Sequence, residues 1–212
     1  MYVDYIGAVN ELNNVAISLD GSSELKKLAV SEERWAKNKL KGRISSVVKV
    51  KKGDVHQFDF GKSYVPEMAY EHRGLVIGIN KMLLYVLPIV SLKTQNQQHQ
   101  KAYHPKDNPT GKSDFFLLKG SDFEFIKHDS VLKLNDLRTV SVSRRLYKLG
   151  ELNTKDTTYS EIESLVLQKY FQQFYFEHLQ LKKEVDMLRS DNCSLEKKIQ
   201  ELTLNDYSKT HH

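Results

Sequence analysis

Cysteine, tryptophan and proline are scarce in this chain: one, one and four among 212 residues. A lone thiol, Cys193, excludes an internal disulfide and any zinc site built from several cysteines, and it fits a reducing compartment. Long apolar runs are also missing. The longest, Met82 to Val90, is less than half of the roughly 20 residues that a membrane-crossing helix needs, and the first residues lack the basic-then-apolar pattern of a secretion signal. These absences point to a cytoplasmic protein with no membrane partner. No histidine cluster shows metal-ligand spacing: His56, His99, His104 and His128 fall in strands or a polar loop, so neither a metal nor another cofactor is expected.

What the chain does contain is an uneven distribution of charge. Residues 1–45 hold seven basic and six acidic side chains, residues 46–150 seventeen and ten, and residues 151–212 eight and eleven. The net charge of +5 therefore belongs to the middle of the chain, which is the sign expected of a nucleic-acid partner.

Periodicity divides the chain in the same places. Val9, Leu12, Val15, Ala16 and Leu19 share one helical face, Asp20-Gly21-Ser22-Ser23 is a stop, and Leu25 to Leu40 is a second helix ended by Gly42. From Ser46 the period changes to 2, through Val48 and Val50 and on through Val55 to Phe60. Gly74 to Ile79 and Met82 to Leu92 read as a hairpin turning at Asn80-Lys81. Phe115 to Lys119, Phe123 to Ile126 and Ser130 to Leu134 supply further strands, and so many short strands in about a hundred residues suggest a closed or nearly closed barrel. Lys93 to Lys112, rich in Gln, Asn, His and Lys, reads as a long functional loop with basic and amide groups placed to close over a strand of RNA.

Near the C-terminus, Ser160-Glu161-Ile162-Glu163 matches a capping box. A heptad follows, with Leu167, Phe174, Leu181, Leu188, Leu195 and Leu202 at d and Phe171, His178, Val185, Asn192 and Ile199 at a. Leucine at every d past Phe174, β-branched residues at two a positions and one asparagine at another favour a parallel homodimer held by Leu181, Val185, Leu188, Asn192, Leu195, Ile199 and Leu202. A helix folded back on the N-terminal helices is the alternative. A DNA-binding zipper is disfavoured, because Tyr170 to Phe176, just ahead of it, is aromatic rather than basic. The expected divisions are 1–45 helical, 46–165 barrel with a closing helix, 166–205 coiled coil and 206–212 a disordered tail.

Four motifs in order give the middle segment a resemblance to the MazF/PemK toxins, including Kid. Lys52-Gly53-Asp54-Val55 with Asp59-Phe60 resembles the family's opening strand. Glu67 to Ile77, with His72-Arg73-Gly74, resembles its Glu-containing loop, Arg-Pro and strand. Pro88-Ile89-Val90-Ser91 is similar to its Pro-x-Thr-Ser. Asp129-Ser130 with Leu137-Arg138-Thr139-Val140 and Arg144-Arg145-Leu146 follows its last strands.

The resemblance implies a mainly β fold, an SH3-like barrel of the MazF/PemK/CcdB kind, here with N-terminal helices and a C-terminal zipper-like helix. It further implies a barrel dimer that cleaves single-stranded RNA without metal, by attack of the 2′-hydroxyl on the neighbouring phosphate, and an antitoxin protein as cognate partner. The family's catalytic arginine and threonine are displaced here. An ungapped match puts His72 on the arginine and Val90 on the threonine, while a one-residue slip keeps Arg73 and leaves Ser91 as the hydroxyl. His72, Arg73 and Ser91 are therefore the candidate catalytic residues, since histidine can move a proton near neutral pH and arginine is a fixed cation. Glu67, Lys93, Lys133 and Arg138 are the candidate RNA-binding residues. A barrel that has lost the nuclease and acts as a dimeric module binding nucleic acid or protein is the alternative.

Overall fold

The computed structural model describes residues 2–41, 49–93 and 96–209. Two helices open it, α1 (Tyr2–Ser18) and α2 (Ser23–Leu40). Gly21 makes the stop between them by taking a left-handed φ of 73°. Ser22 then caps α2, its hydroxyl accepting the Leu25 N–H at 3.2 Å. The expected stop at Gly42 lies outside the described residues, and α2 ends with Lys41 as its C-cap.

Eight strands follow, β1 (Asp54–Asp59), β2 (Glu71–Asn80), β3 (Leu83–Ser91), β4 (Ala102–Tyr103), β5 (Lys112–Leu118), β6 (Ser130–Lys133), β7 (Arg138–Ser141) and β8 (Arg145–Glu151). A single helical turn, α3 (Gln97–Gln100), precedes β4. The strands form one mixed sheet in the order β4-β5-β6-β3-β2-β1-β8, with β7 pairing β3 off that path. β3 is long enough for two partners on one edge: β6 pairs Ile89 to Ser91, and β7 pairs Leu83 to Val86. The architecture is mainly β with helical extensions. Its ladders run out at β4 and β8, so among the described residues the sheet is open and hydrogen bonds do not close it into a barrel.

Several local expectations give way to better-satisfied alternatives. The hairpin pairs Asn80 with Leu83, so its turn is Lys81-Met82, with Lys81 at a φ of 55°. Lys49 and Val50 are outside β1, and Ser46 to Val48 lie outside the described residues. Phe123 to Ile126 is a turn: Ile126 N–H reaches the Phe123 carbonyl at 3.0 Å, and the rings of Phe123 and Phe125 lie 5.6 Å apart. Alternating aromatics there bury side chains from a turn without building a ladder.

The Lys93 to Lys112 stretch carries structure of its own. Asn108 Nδ2 donates to the Ala102 carbonyl at 2.9 Å, a bridge joins His104 to Asn108, and Tyr103 and His104 stack near Phe116. Backbone bonds exchanged between His104 and Asn108 at 3.0 and 3.1 Å close the turn, and the Asn108 side-chain amide adds to them. A helix α4 (Thr157–Tyr170) starts three residues before the capping box, because Asn153 already organises the turn: its Oδ1 accepts the Lys155 N–H at 3.1 Å and its Nδ2 donates to Asp156 at 2.9 Å.

The register sets the core. Phe58, Phe60, Val76, Leu84, Val86 and Val140 form one buried cluster, and Ala102, Phe115 and Val131 another. Gly74 is required by that packing, since a Cβ there would collide with Val86 and lie 3.0 Å from the Phe58 ring. The chain divides into two compact units, residues 1–162 and 163–212, with the boundary inside α4. Most of the second is α5 (Gln172–Lys209), 38 residues long. No helix among the described residues is long and apolar enough to cross a membrane.

Candidate active site

The ends of β1, β2 and β3 meet at a groove of about 660 Å³, where Gln57, Glu71, His72, Arg73, Ile89, Val90, Ser91, Lys93, His99 and Lys133 are among the lining residues. Five of the seven side chains singled out from the sequence come together here: His72, Arg73, Ser91, Lys93 and Lys133. The other two, Glu67 and Arg138, do not line it. They pair with each other at 3.2 Å, and Arg138 also holds Asp136 at 2.8 Å and lies over the Phe60 ring.

Strand alternation sorts the two rivals for the arginine position. β2 pairs Arg73 with Ile89, and β3 pairs Ser91 with Ser130 across β6, so Arg73, Ser91 and Ser130 share one face. Arg73 Nη2 donates to Ser130 Oγ at 3.0 Å and reaches Ser91 Oγ at 3.5 Å. His72, one step away, belongs to the face of Gly74, Val90 and Lys133. Both side chains still border the groove, because it lies at the strand ends where the two faces meet solvent.

The electrostatics of the two differ. Burial, followed by the nearby Lys27, Lys133, Arg73 and Lys93 cations, pushes the His72 pKa below its ordinary 6.5. At neutral pH its ring is therefore uncharged and able to accept a proton. Burial lowers the Arg73 pKa too, but a guanidinium starts so high that it stays a cation. His99 resembles His72: burial first, then Lys93 and Lys133, lower its pKa. Its Nδ1 accepts the Lys93 N–H at 3.3 Å, which leaves the proton of the neutral ring on Nε2.

Ion pairs hold the walls in place. Lys133 Nζ donates to the Pro66 carbonyl at 2.9 Å and to Asp136 at 3.2 Å, tying the loop before β2 to β6. From α2, Ser31 Oγ donates to Asp59 at 2.9 Å, while Arg34 bonds Asp59 and Glu71 at 2.7 Å each. Burial works against the Arg34 charge, but its hydrogen bonds to Glu71 and Asp59 outweigh that and raise its pKa. Helix α2 thus braces the first residue of β2, next to His72.

Ser130 and His99 were not candidates from the sequence. Ser130 carried a signal, its place beside Asp129 at the head of a strand that would pair the end of β3. His99 carried none, since nothing in a polar loop says which side chain folds inward. Among the described residues, no group of three or more His, Cys, Asp or Glu could hold a metal ion.

No family model matches the sequence, and no curated protein matches it. Among solved structures, an endoribonuclease in complex with its cognate antitoxin from a mycobacterial species is similar over 57% of this chain and 93% of that one, at 11% identity and a TM-score of 0.38.

Proposed function

We propose that this protein is the toxin of a type II toxin–antitoxin pair, an endoribonuclease of the MazF/PemK kind with an SH3-like barrel topology, whose groove cleaves single-stranded RNA without a metal ion. The observation that carries the reading is the convergence of an uncharged histidine, His72, with a fixed cation, Arg73, and an exposed hydroxyl, Ser91, in one groove. These are the residues that the resemblance to the toxins selected.

Each has a defined task. His72 accepts the proton of the ribose 2′-hydroxyl as that oxygen bonds to phosphorus. Arg73 and Lys93 balance the added negative charge of the phosphorane, and the Ser91 hydroxyl donates to a non-bridging oxygen. The bond from phosphorus to the 5′-oxygen then breaks, and water, which reaches the exposed Ser91 and Lys93, protonates the departing oxygen. The products are a 2′,3′-cyclic phosphate and a 5′-hydroxyl. A basic groove of this kind also suits an acidic antitoxin segment, which would silence the enzyme by covering it.

Incubating the protein with a long single-stranded RNA in EDTA, beside His72→Ala, Arg73→Ala and Ser91→Ala variants, tests the reading. Discrete cuts with 5′-hydroxyl ends, lost in His72→Ala, support it. A second reading is favoured by the engagement of Arg73 with Ser130 and by Val90 standing where the family has a hydroxyl: the groove would bind without cutting. RNA left intact but retarded on a gel, with an affinity that falls as salt rises, would establish that binding module instead.

A further inference from the structure

We infer that α5 is one strand of a parallel, in-register coiled coil whose other strand is a second copy of this chain. The apolar positions of its heptad are on the surface: Leu181 is 60% exposed, Leu188 52%, Leu195 54% and Leu202 66%. Val185 and Ile199, at the intervening a positions, are exposed as well. A stripe sustained at a and d over this length, on a helix of 38 residues, has the geometry of a coiled-coil seam, narrower than the apolar face of a helix lying on a globular core.

The flanking charges identify the occupant. The g positions Glu177, Glu184 and Asp191 are acidic and Lys198 is basic, while the e positions Lys182 and Arg189 are basic and Glu196 is acidic. A parallel pair sets g of one strand against the following e of the other, so Glu177 meets the second copy's Lys182 and Glu184 its Arg189. An antiparallel pair sets g against g and e against e, where Lys198 and Glu196 would also find opposite charges, so the charges fit a second copy without alone choosing its direction. Asn192 sets the direction, because in an antiparallel pair a faces d and its amide would meet a leucine. Asp191 against Glu196 is the one repulsive contact of the parallel arrangement. Asn192 falls at a, where in register it meets its own copy, and the two amides satisfy each other; a slip of one heptad would leave each facing Val185 or Ile199.

Three measurements on the full chain decide this. Sedimentation at micromolar concentration should find a dimer, and Leu181→Glu with Leu188→Glu should weaken it at least about a hundredfold, while the fluorescence of the sheet unit stays unchanged. Lys182→Glu alone should weaken the dimer about threefold to tenfold, and adding Glu177→Lys should restore it, because reversing both signs rebuilds the pair. In a Cys193→Ser background, Leu188→Cys should form an intermolecular disulfide under mild oxidation, since facing d positions lie within disulfide reach. A chain that stays monomeric at 100 micromolar, on the order of a hundred times the concentration at which a long zipper pairs, overturns the inference. So does a dimer that the two leucine changes leave intact, or one in which Leu188→Cys does not cross-link.

Discussion

Along β2 and β3 the apolar side chains Leu75, Val76, Val86 and Leu87 are buried to 0% exposure on both faces of the sheet, whereas along α5 the leucines of the heptad are more than half exposed. One stretch is a dense apolar run and the other is periodic at 3.5 residues, and both carry residues that water disfavours. The difference lies in where each pattern finds its complement. A strand of this sheet meets the next strand of the same chain, so its burial is complete at any concentration. A heptad stripe is complementary to another heptad stripe, and α5 supplies only one per chain. The stability of the sheet unit should therefore be a property of the molecule, and that of the helix a property of the solution.

Core truncation sharpens the contrast most. Leu132→Ala, at a fully buried position of β6, should cost the sheet unit about 2–5 kcal/mol in urea unfolding and leave the association constant of α5 unchanged. The converse is the pair Leu181→Glu and Leu188→Glu, which should raise the dimer dissociation constant at least about a hundredfold, or about 3 kcal/mol, without moving the sheet unit's urea midpoint. If either change moved both readouts, the two regions would be coupled and the comparison would fail.

A smaller effect probes the brace between α2 and the sheet. Arg34→Ala leaves the buried Asp59 carboxylate with its Ser31 and Gly61 bonds but without its cation, and should cost about 1–2 kcal/mol. A circular dichroism melt measures it, and Arg34→Lys should recover part of the loss, since a single ammonium cannot bridge Asp59 and Glu71 as the guanidinium does.

The smallest effect is set by pH. Burial comes first among the causes that lower the pKa of His56, His72 and His99 below 6.5. Below that value the unfolded chain takes up protons that the folded chain refuses, so sheet stability should fall as pH drops from 6.5 and hold flat above it. Urea midpoints between pH 8 and pH 5 test the sign. The same titration of His72 should switch off cleavage in acid, at a pH below 6.5, whereas a midpoint above 6.5 would contradict a groove that keeps this ring neutral.

The helices and the central hairpin were legible because their signals are local: Gly21 and Ser22 for the break, dense apolar runs for β2 and β3. The turn was placed one residue early because Lys81 takes a left-handed φ that residue type alone does not announce. Phe123 to Ile126 looked like a strand because alternation reports burial, and here burial comes from a turn. The open sheet was not legible at all, since ladder closure depends on which strand β8 meets. At the groove, the motifs brought His72, Arg73, Ser91 and Lys133 to notice, and Lys93 was a candidate at the start of the polar loop. Motifs do not say which cations are already engaged, and the structure ties Lys133 to Pro66 and Asp136, and Arg138 to Glu67 and Asp136. His99 joins the groove through a polar loop whose fold rests on turn hydrogen bonds, which leave no periodic signature.

The central claim is attack by a ribose 2′-hydroxyl in the groove of His72 and Arg73. Once a cut site is mapped, two otherwise identical oligonucleotides decide it, one with ribose and one with 2′-deoxyribose at the nucleotide 5′ of the cut, both incubated in EDTA. Cleavage of the ribose strand alone, lost in His72→Ala, is the predicted result; equal cleavage of both strands, or of neither, would contradict it.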